Sequence, residues 1–211
     1  MIPEDRHAAL TLDPARPLVN TVHTEHVPVF DQGKLGSCTA NAALGVLVCD
    51  PFFDGTTYTE DDAVTLYELE TKIDNRQIPG QYPPDDTGSS GVWSMKALEQ
   101  QGKIKSFRGT RVGAEVRGML LDGPVSIGVT WYQSLFTPDV SNTIHVDRDT
   151  DVAGGHEICL VELDVDNKRV RIRNSWGATW GDQGHAWLSW DDLDLLMSED
   201  GDAVQPTLPG A

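Results

Sequence analysis

The first half of the chain carries its apolar residues at helical spacing, and the second half carries them in short strand-like runs. "CTANAALGVLVC", residues 38–49, is apolar or small on every side, which predicts a buried helix opening at Gly36-Ser37-Cys38 and running to Cys49. Ala40, Ala42, Ala43 and Gly45 would let neighbouring elements approach it closely. "TEDDAVTLYELETKID", residues 59–74, offers a Thr59 N-cap and an acidic first turn, then a stripe of Val64, Tyr67 and Leu69. A loop rich in Pro, Gly and Asp spans residues 79–91. "VWSMKALEQQGKI" reads as a short helix closed by Gly102, and "VGAEVRGMLLDG" as another ending before Pro124. From there "PVSIGVTW", "HEICLVELDVD", "KRVRIRNSW" and "GHAWLSW" read as strands, with residues 164–167 as a hairpin turn. Helices followed by antiparallel strands imply an α+β chain of two lobes. Residues 17–30 look extended. Residues 1–16 read as a flexible arm, and the polar stretch 198–211 as a disordered tail. No internal repeat is visible.

Composition narrows the function classes. With 211 residues the chain can bury a sizeable core. It holds 16 basic against 33 acidic residues, a formal charge of -17, which argues against a nucleic-acid partner because nothing would offset phosphate charge. No apolar run is long enough to span a membrane, and the N-terminus lacks a basic stretch followed by an apolar one, so no secretory signal is expected. The three cysteines, Cys38, Cys49 and Cys159, show no metal-ligand spacing; neither a metal nor a cofactor is expected, and a reducing compartment is the simpler inference.

Cys38 is placed for chemistry. A helix N-terminus presents unpaired N–H groups and about half a positive charge, which stabilise a thiolate and can also hold an oxyanion beside it. Cys49 lies eleven residues further on, roughly 16 Å at ~1.5 Å per residue, so no disulfide joins the two on one helix. Cys49 and Cys159 read as structural. A cysteine nucleophile needs a base, and the base an orienting group. His7, His23 and His26 read as surface residues, His145 as a loop residue and His185 as half-exposed. His156 differs: it opens an apolar strand directly after Gly154 and Gly155. Asn174 ends the next strand, and a tight hairpin brings those two ends together.

"DQGKLGSC", "GGHEICLV" and "NSWGATWGDQGHAWL" together resemble the papain-like cysteine peptidases over roughly residues 27–196, in the family's order of Gln, Cys, His, Asn. The resemblance implies a papain-like two-lobe fold: a helical left lobe over residues 17–110, its N-terminal strand crossing over, and an antiparallel β-barrel-like right lobe over residues 111–197. The cleft between them would hold the active site. It implies Cys38 as nucleophile and His156 as base, then acid. Asn174 would hold the ring, Gln32 would donate to the oxyanion, and Trp176 would shield the Asn–His bond. The thiol is then expected to be ionised near neutral pH by its pairing with the imidazole. By the same likeness the peptide would run along Gly91, with Val92, Trp93, Gly128, Gly154, Gly155 and Glu157 near the pocket for the second residue before the scissile bond. Glu157 would make that pocket acidic and favour Arg or Lys; pairing of Glu157 with Arg171 or Arg173 is the competing expectation.

The chain departs from the family in reading LGSCT where secreted members read CGSCW. Leu35 stands for a half-cystine, so packing alone is expected to hold the loop. Thr39 stands for a bulky aromatic. Only 31 residues precede Gln32, so a helical pro-segment of the family's usual size is not expected, and residues 1–16 are a candidate for contacting the cleft. The expected function is a cysteine endopeptidase acting on protein or peptide substrates through a thioester. A thiol-dependent acyltransferase or amidase, and a non-catalytic binding protein on the same fold, are the alternatives. A monomer in the cytoplasm of a bacterial or phage-infected cell, with virion association as a variant, completes the expectation.

Overall fold

A helix that is apolar on all sides needs neighbours on all sides, and α1 (Cys38–Leu47) has them. In the computed structural model, which describes residues 16–74 and 79–207, every residue of α1 from Thr39 to Leu47 is buried. α2 (Glu60–Asp74) and α3 (Gly91–Gln100) pack on one side of it and the sheet on the other. α2 starts as a capping box: the Thr59 N–H donates to the Asp62 carboxylate at 2.8 Å, and the Asp62 N–H donates to the Thr59 hydroxyl at 3.3 Å. Its buried face is Ala63, Leu66, Tyr67, Glu70, Thr71 and Asp74. Val64 and Leu69, expected on that face, are only half-buried. The face is chosen by contact with α1 and α3, whose hydroxyls give Glu70 partners that a hydropathy pattern does not register.

Among the described residues eight strands form one sheet: β1 (Thr21–Val22), β2 (Phe107–Thr110), β3 (Val125–Tyr132), β4 (Thr143–Ile144), β5 (Val152–Asp164), β6 (Arg169–Arg173), β7 (His185–Ser189) and β8 (Asp202–Pro206). The strand order is β2-β8-β3-β5-β6-β7-β4, with β1 paired to β5. Of these pairings only that of β4 with β7 is parallel. The path is open, with β2 and β4 at its ends, so the sheet does not close into a barrel. α4 (Gly113–Met119) and α5 (Trp190–Ser198) pack together beside it.

β5 is the shared wall. Ile158, Leu160 and Leu163 face the core of the β-rich lobe, whereas Cys159 and Val161 face the core built around α1. Burial on both faces explains why this strand reads as a continuous apolar run instead of an alternation. β5 also begins at Val152, four residues before His156, so His156 sits inside the strand and does not open it.

The expected disordered tail is a correction: residues 202–206 form β8, inserted between β2 and β3. Its Gln205 is fully buried and donates to the carbonyls of Met119, Gly123 and Pro124. Polar composition hid the strand because its partners, not its own residues, satisfy it. Residues 208–211, and residues 1–15 of the arm, lie outside the described residues. Arg16 pairs with Asp122 at 2.5 Å. Likewise His23 is not a surface group, and His185 is buried where half-exposure was expected. His23 is buried against the Leu120 carbonyl, and His185 pairs with Glu25 at 2.9 Å.

Candidate active site

The two lobes meet in a cleft of about 660 Å³ lined by Gln32, Cys38, Gly154, Gly155, His156, Glu157 and Trp176, among others. Cys38 is the first residue of α1, as its sequence context requires. Burial pushes its thiol up to about 12, against the downward pull of the Glu157 and Thr39 backbone N–H groups. The loop before it is tied to the opposite lobe. The Gln32 N–H donates to the Ser175 carbonyl at 2.9 Å, and the Gln32 side-chain oxygen accepts from the Ser175 hydroxyl at 2.6 Å. Gln32 Nε2 donates one hydrogen to the Leu35 carbonyl at 2.9 Å and has a second to offer.

His156 and Asn174 are brought together as the hairpin argument predicts. His156 Nε2 donates to Asn174 Oδ1 at 2.8 Å, and that oxygen also accepts the Ser175 N–H at 2.9 Å. Both residues are buried. The ring lies in an aromatic box, stacked on Trp176 with centroids 4.8 Å apart and edge-on to Trp131 at 4.7 Å. Phe136 stacks on the other side of Trp176 at 5.2 Å, and Trp180 meets it edge-on at 5.6 Å. Burial pushes the imidazole down to about 4, against the pull of the Asn174 bond. In the free chain burial thus works against both charges of a thiolate–imidazolium pair.

On the substrate side the expected residues divide. Gly154, Gly155 and Glu157 line the cleft with Gly128; Gly91, Val92 and Trp93 do not. Gly91 is the buried first residue of α3, and Val92 and Trp93 follow it on the helix. The opposing wall is instead Thr87, Gly88, Ser89 and Ser90, because the helix starts one residue earlier than its apolar pattern suggests. Glu157 has neither expected arginine partner: Arg173 pairs with Glu25, and Arg171 with Asp182 and Glu162. Its carboxyl accepts from the Ser126 hydroxyl at 2.6 Å. A Cβ at Gly128 would stand 2.7 Å from the Glu157 carboxyl and 2.9 Å from that of Asp202, so only glycine leaves room for this pair of acids. Burial, then repulsion from Asp202, drives the Glu157 carboxyl well above its ordinary value. Glu199, Asp200 and Asp202 line the same cleft. Among the described residues no cluster of His, Cys, Asp and Glu suits a metal ion, and no helix is long and apolar enough to cross a membrane.

Residues 61–193 match the family described as papain family cysteine protease. The chain belongs to the papain family. It is 31% identical over 193 residues to an uncharacterised peptidase C1-like protein of Acanthamoeba polyphaga mimivirus, an alignment covering 74% of this chain and 62% of that protein. The chain thus spans less than two thirds of that relative's length. The fold is similar to that of xylellain, a cysteine protease from Xylella fastidiosa, with a TM-score of 0.68, 20% identity and coverage of 92% of this chain and 88% of the other. It is also similar to procathepsin L 3 from the larval midgut of Tenebrio molitor, with a TM-score of 0.65, 16% identity and coverage of 92% and 72%. At these identities the two structures speak for the fold alone.

Three supports of this papain-family cleft were missed in the sequence. Ser175, inside the NSW motif, holds Gln32. Asp86 holds the loop that Leu35 leaves without a cystine. Its carboxylate accepts the Gly36 N–H at 3.0 Å and the Tyr67 hydroxyl at 2.6 Å, and Tyr67 in turn accepts the Gly88 N–H at 2.8 Å. A Cβ at Gly36 would stand 2.7 Å from that carboxylate. Packing alone therefore does not hold the loop. Third, Glu70 is fully buried and accepts hydrogen bonds from Thr39, next to the nucleophile, and from Ser94 on α3. The hydroxyl of Thr39 is what the family's aromatic would not supply. All three cysteines are free thiols.

Proposed function

We propose that this papain-family chain is a cysteine endopeptidase with Cys38 as nucleophile. The observation that carries this reading is the buried His156–Asn174 hydrogen bond, whose imidazole lines one cleft with a thiol at a helix N-terminus. Starting from the neutral pair, His156 takes the proton from Cys38 as the sulfur bonds to the peptide carbonyl carbon. The carbonyl oxygen becomes an oxyanion, held by the free hydrogen of Gln32 Nε2 and the Cys38 N–H. Collapse breaks the C–N bond, and the imidazolium gives its proton to the leaving amine. A thioester remains. Water then gives a proton to His156, attacks the thioester and releases the acid, and the proton returns to sulfur. Asn174 keeps the ring in plane throughout, and Trp176 keeps water from their bond.

The cleft's carboxyls favour a substrate with a basic side chain near Glu157, because that group makes no ion pair among the described residues. The free thiols suit a reducing compartment. The test is covalent labelling by an epoxysuccinyl peptide, read by intact mass. Wild type should gain one adduct, Cys38→Ala none, and His156→Ala should react at least ~100-fold more slowly. An unlabelled wild type sinks the proposal, as does labelling on Cys49 or Cys159 instead.

A further inference from the structure

Behind the catalytic pair, where α1 meets β5 and the end of β6, lies a narrow seam, too tight to seat a water molecule. Asn41 lines it from α1, one turn past Cys38, and Asn174 lines it from the other lobe. Each is only 3% exposed. Their amide orientations are fixed by partners that allow one role each. Asn41 Nδ2 donates to the Ser37 carbonyl at 2.8 Å, and a carbonyl can only accept. Asn174 Oδ1 accepts the Ser175 N–H at 2.9 Å, and a backbone N–H can only donate. One acceptor, Asn41 Oδ1, and one donor group, Asn174 Nδ2, are then left buried without a partner among the described residues. The charged residues that line the seam are engaged elsewhere: Arg173 with Glu25 and the Val27 and Pro28 carbonyls, and Glu157 with Ser126.

Buried amide groups are costly to leave unpaired, and here the orphans are complementary and belong to residues that line one seam. We propose that Asn41 is a positioning residue for Asn174, and that the two amides close on each other by side-chain rotation, Asn174 Nδ2–H donating to Asn41 Oδ1. The bond would span the lobe interface and tie the helix that carries the nucleophile to the residue that orients the base. It would hold the Asn174 amide from its far side while His156 and Ser175 hold its oxygen. The chain would so couple the lobes directly beneath the reacting atoms.

This inference rests on the peptidase reading for its kinetic consequence but not for its structural one, so the experiment has two arms. In the first, side-chain amide ¹H–¹⁵N spectra are recorded for wild type and Asn41→Leu, with the Asn174 signal assigned from Asn174→Ala. The Asn174 amide protons should exchange slowly in wild type, and should shift and exchange faster in Asn41→Leu. An Asn174 signal indifferent to residue 41 overturns the proposal, whatever the enzyme's activity. In the second arm, kcat and KM for a peptide substrate are measured in a double-mutant cycle. Asn41→Leu should lower kcat about five- to tenfold with KM unchanged, the size expected for one hydrogen bond, and should cost less than about twofold in the Asn174→Ala background. Asn41→Asp, which keeps an acceptor oxygen, should lose less than Asn41→Leu. Equal losses in both backgrounds would make Asn41 a merely structural residue and also overturn the proposal. Should Asn41→Leu fold poorly, Asn41→Ser, too short to reach across the seam, carries both arms. A wild type that fails to turn over peptide sinks the peptidase reading while the spectral arm still decides this one.

Discussion

Glu70 shows how much a single buried side chain can set. Burial holds its carboxyl at about 8, against the donated bonds from Ser94 and Thr39, and the nearby Asp74 pushes it the same way as burial. Its charge in turn raises the Cys38 thiol and the Glu157 carboxyl. A carboxyl raised from 4.5 to about 8 holds its proton more tightly folded than unfolded. The stability this contributes is full below about pH 4.5 and is lost as pH climbs toward 8. Glu70→Gln, neutral at every pH, should match wild type in thermal midpoint near pH 4. It should become progressively more stable than wild type up to about pH 8, by ~2–4 °C for each kcal/mol involved. Melting curves across that range check it; a difference that does not change with pH would remove the buried ionisation. Cys38, His156 and Asn174 were legible because each stands in a motif with its own local geometry. Glu70, Asn41 and Asp86 were not, since each acts through partners far away in sequence.

Among elements, the buried helix, the acid-capped helix and the long hairpin follow from local pattern, as do their approximate ends. The helical face of α2, the start of α3 and the whole of β8 do not, because pairing and contact across the chain decide them. The loops flanking the nucleophile are the element where this matters for activity. Asp86 joins residues 36 and 88, the two sides of the cleft's left wall, through Tyr67. Asp86→Ala frees both while leaving the cores intact. The expected result is a roughly tenfold fall in kcat/KM, carried mainly by KM, with a thermal midpoint within a few degrees of wild type. Steady-state kinetics with a peptide substrate read it, and an unchanged KM would show that another contact braces the wall.

The whole molecule is strongly acidic, and its cleft is lined by Glu199, Asp200 and Asp202, with Glu157 adding its charge as it ionises. Such a field should draw in basic peptides and fade as salt screens it. Because burial and Asp202 hold Glu157 protonated above its ordinary range, its attraction for a cation should grow as pH rises. Paired peptides with Lys or Gln at the second residue before the scissile bond test this. The Lys-to-Gln ratio of kcat/KM should rise with pH above the ordinary carboxylate range, fall with ionic strength, and collapse in Glu157→Gln. A ratio near one throughout would assign these carboxyls to structure alone.

The amino-acid sequence by itself determined the family, the α+β architecture, the helix that starts at the nucleophile, and the pairing of His156 with Asn174 through one hairpin. These rest on short-range geometry: a helix terminus, a strand turn and fixed spacings within a motif. Only the tertiary structure decided which polar side chains sit inside. It put Glu157 beside Asp202, Asp86 against the backbone of Gly36, Gln205 on a strand inserted between β2 and β3, and the amides of Asn41 and Asn174 across one seam. The reason is physical. A buried polar group is stable only with partners, and those partners come from segments that fold against it from elsewhere in the chain.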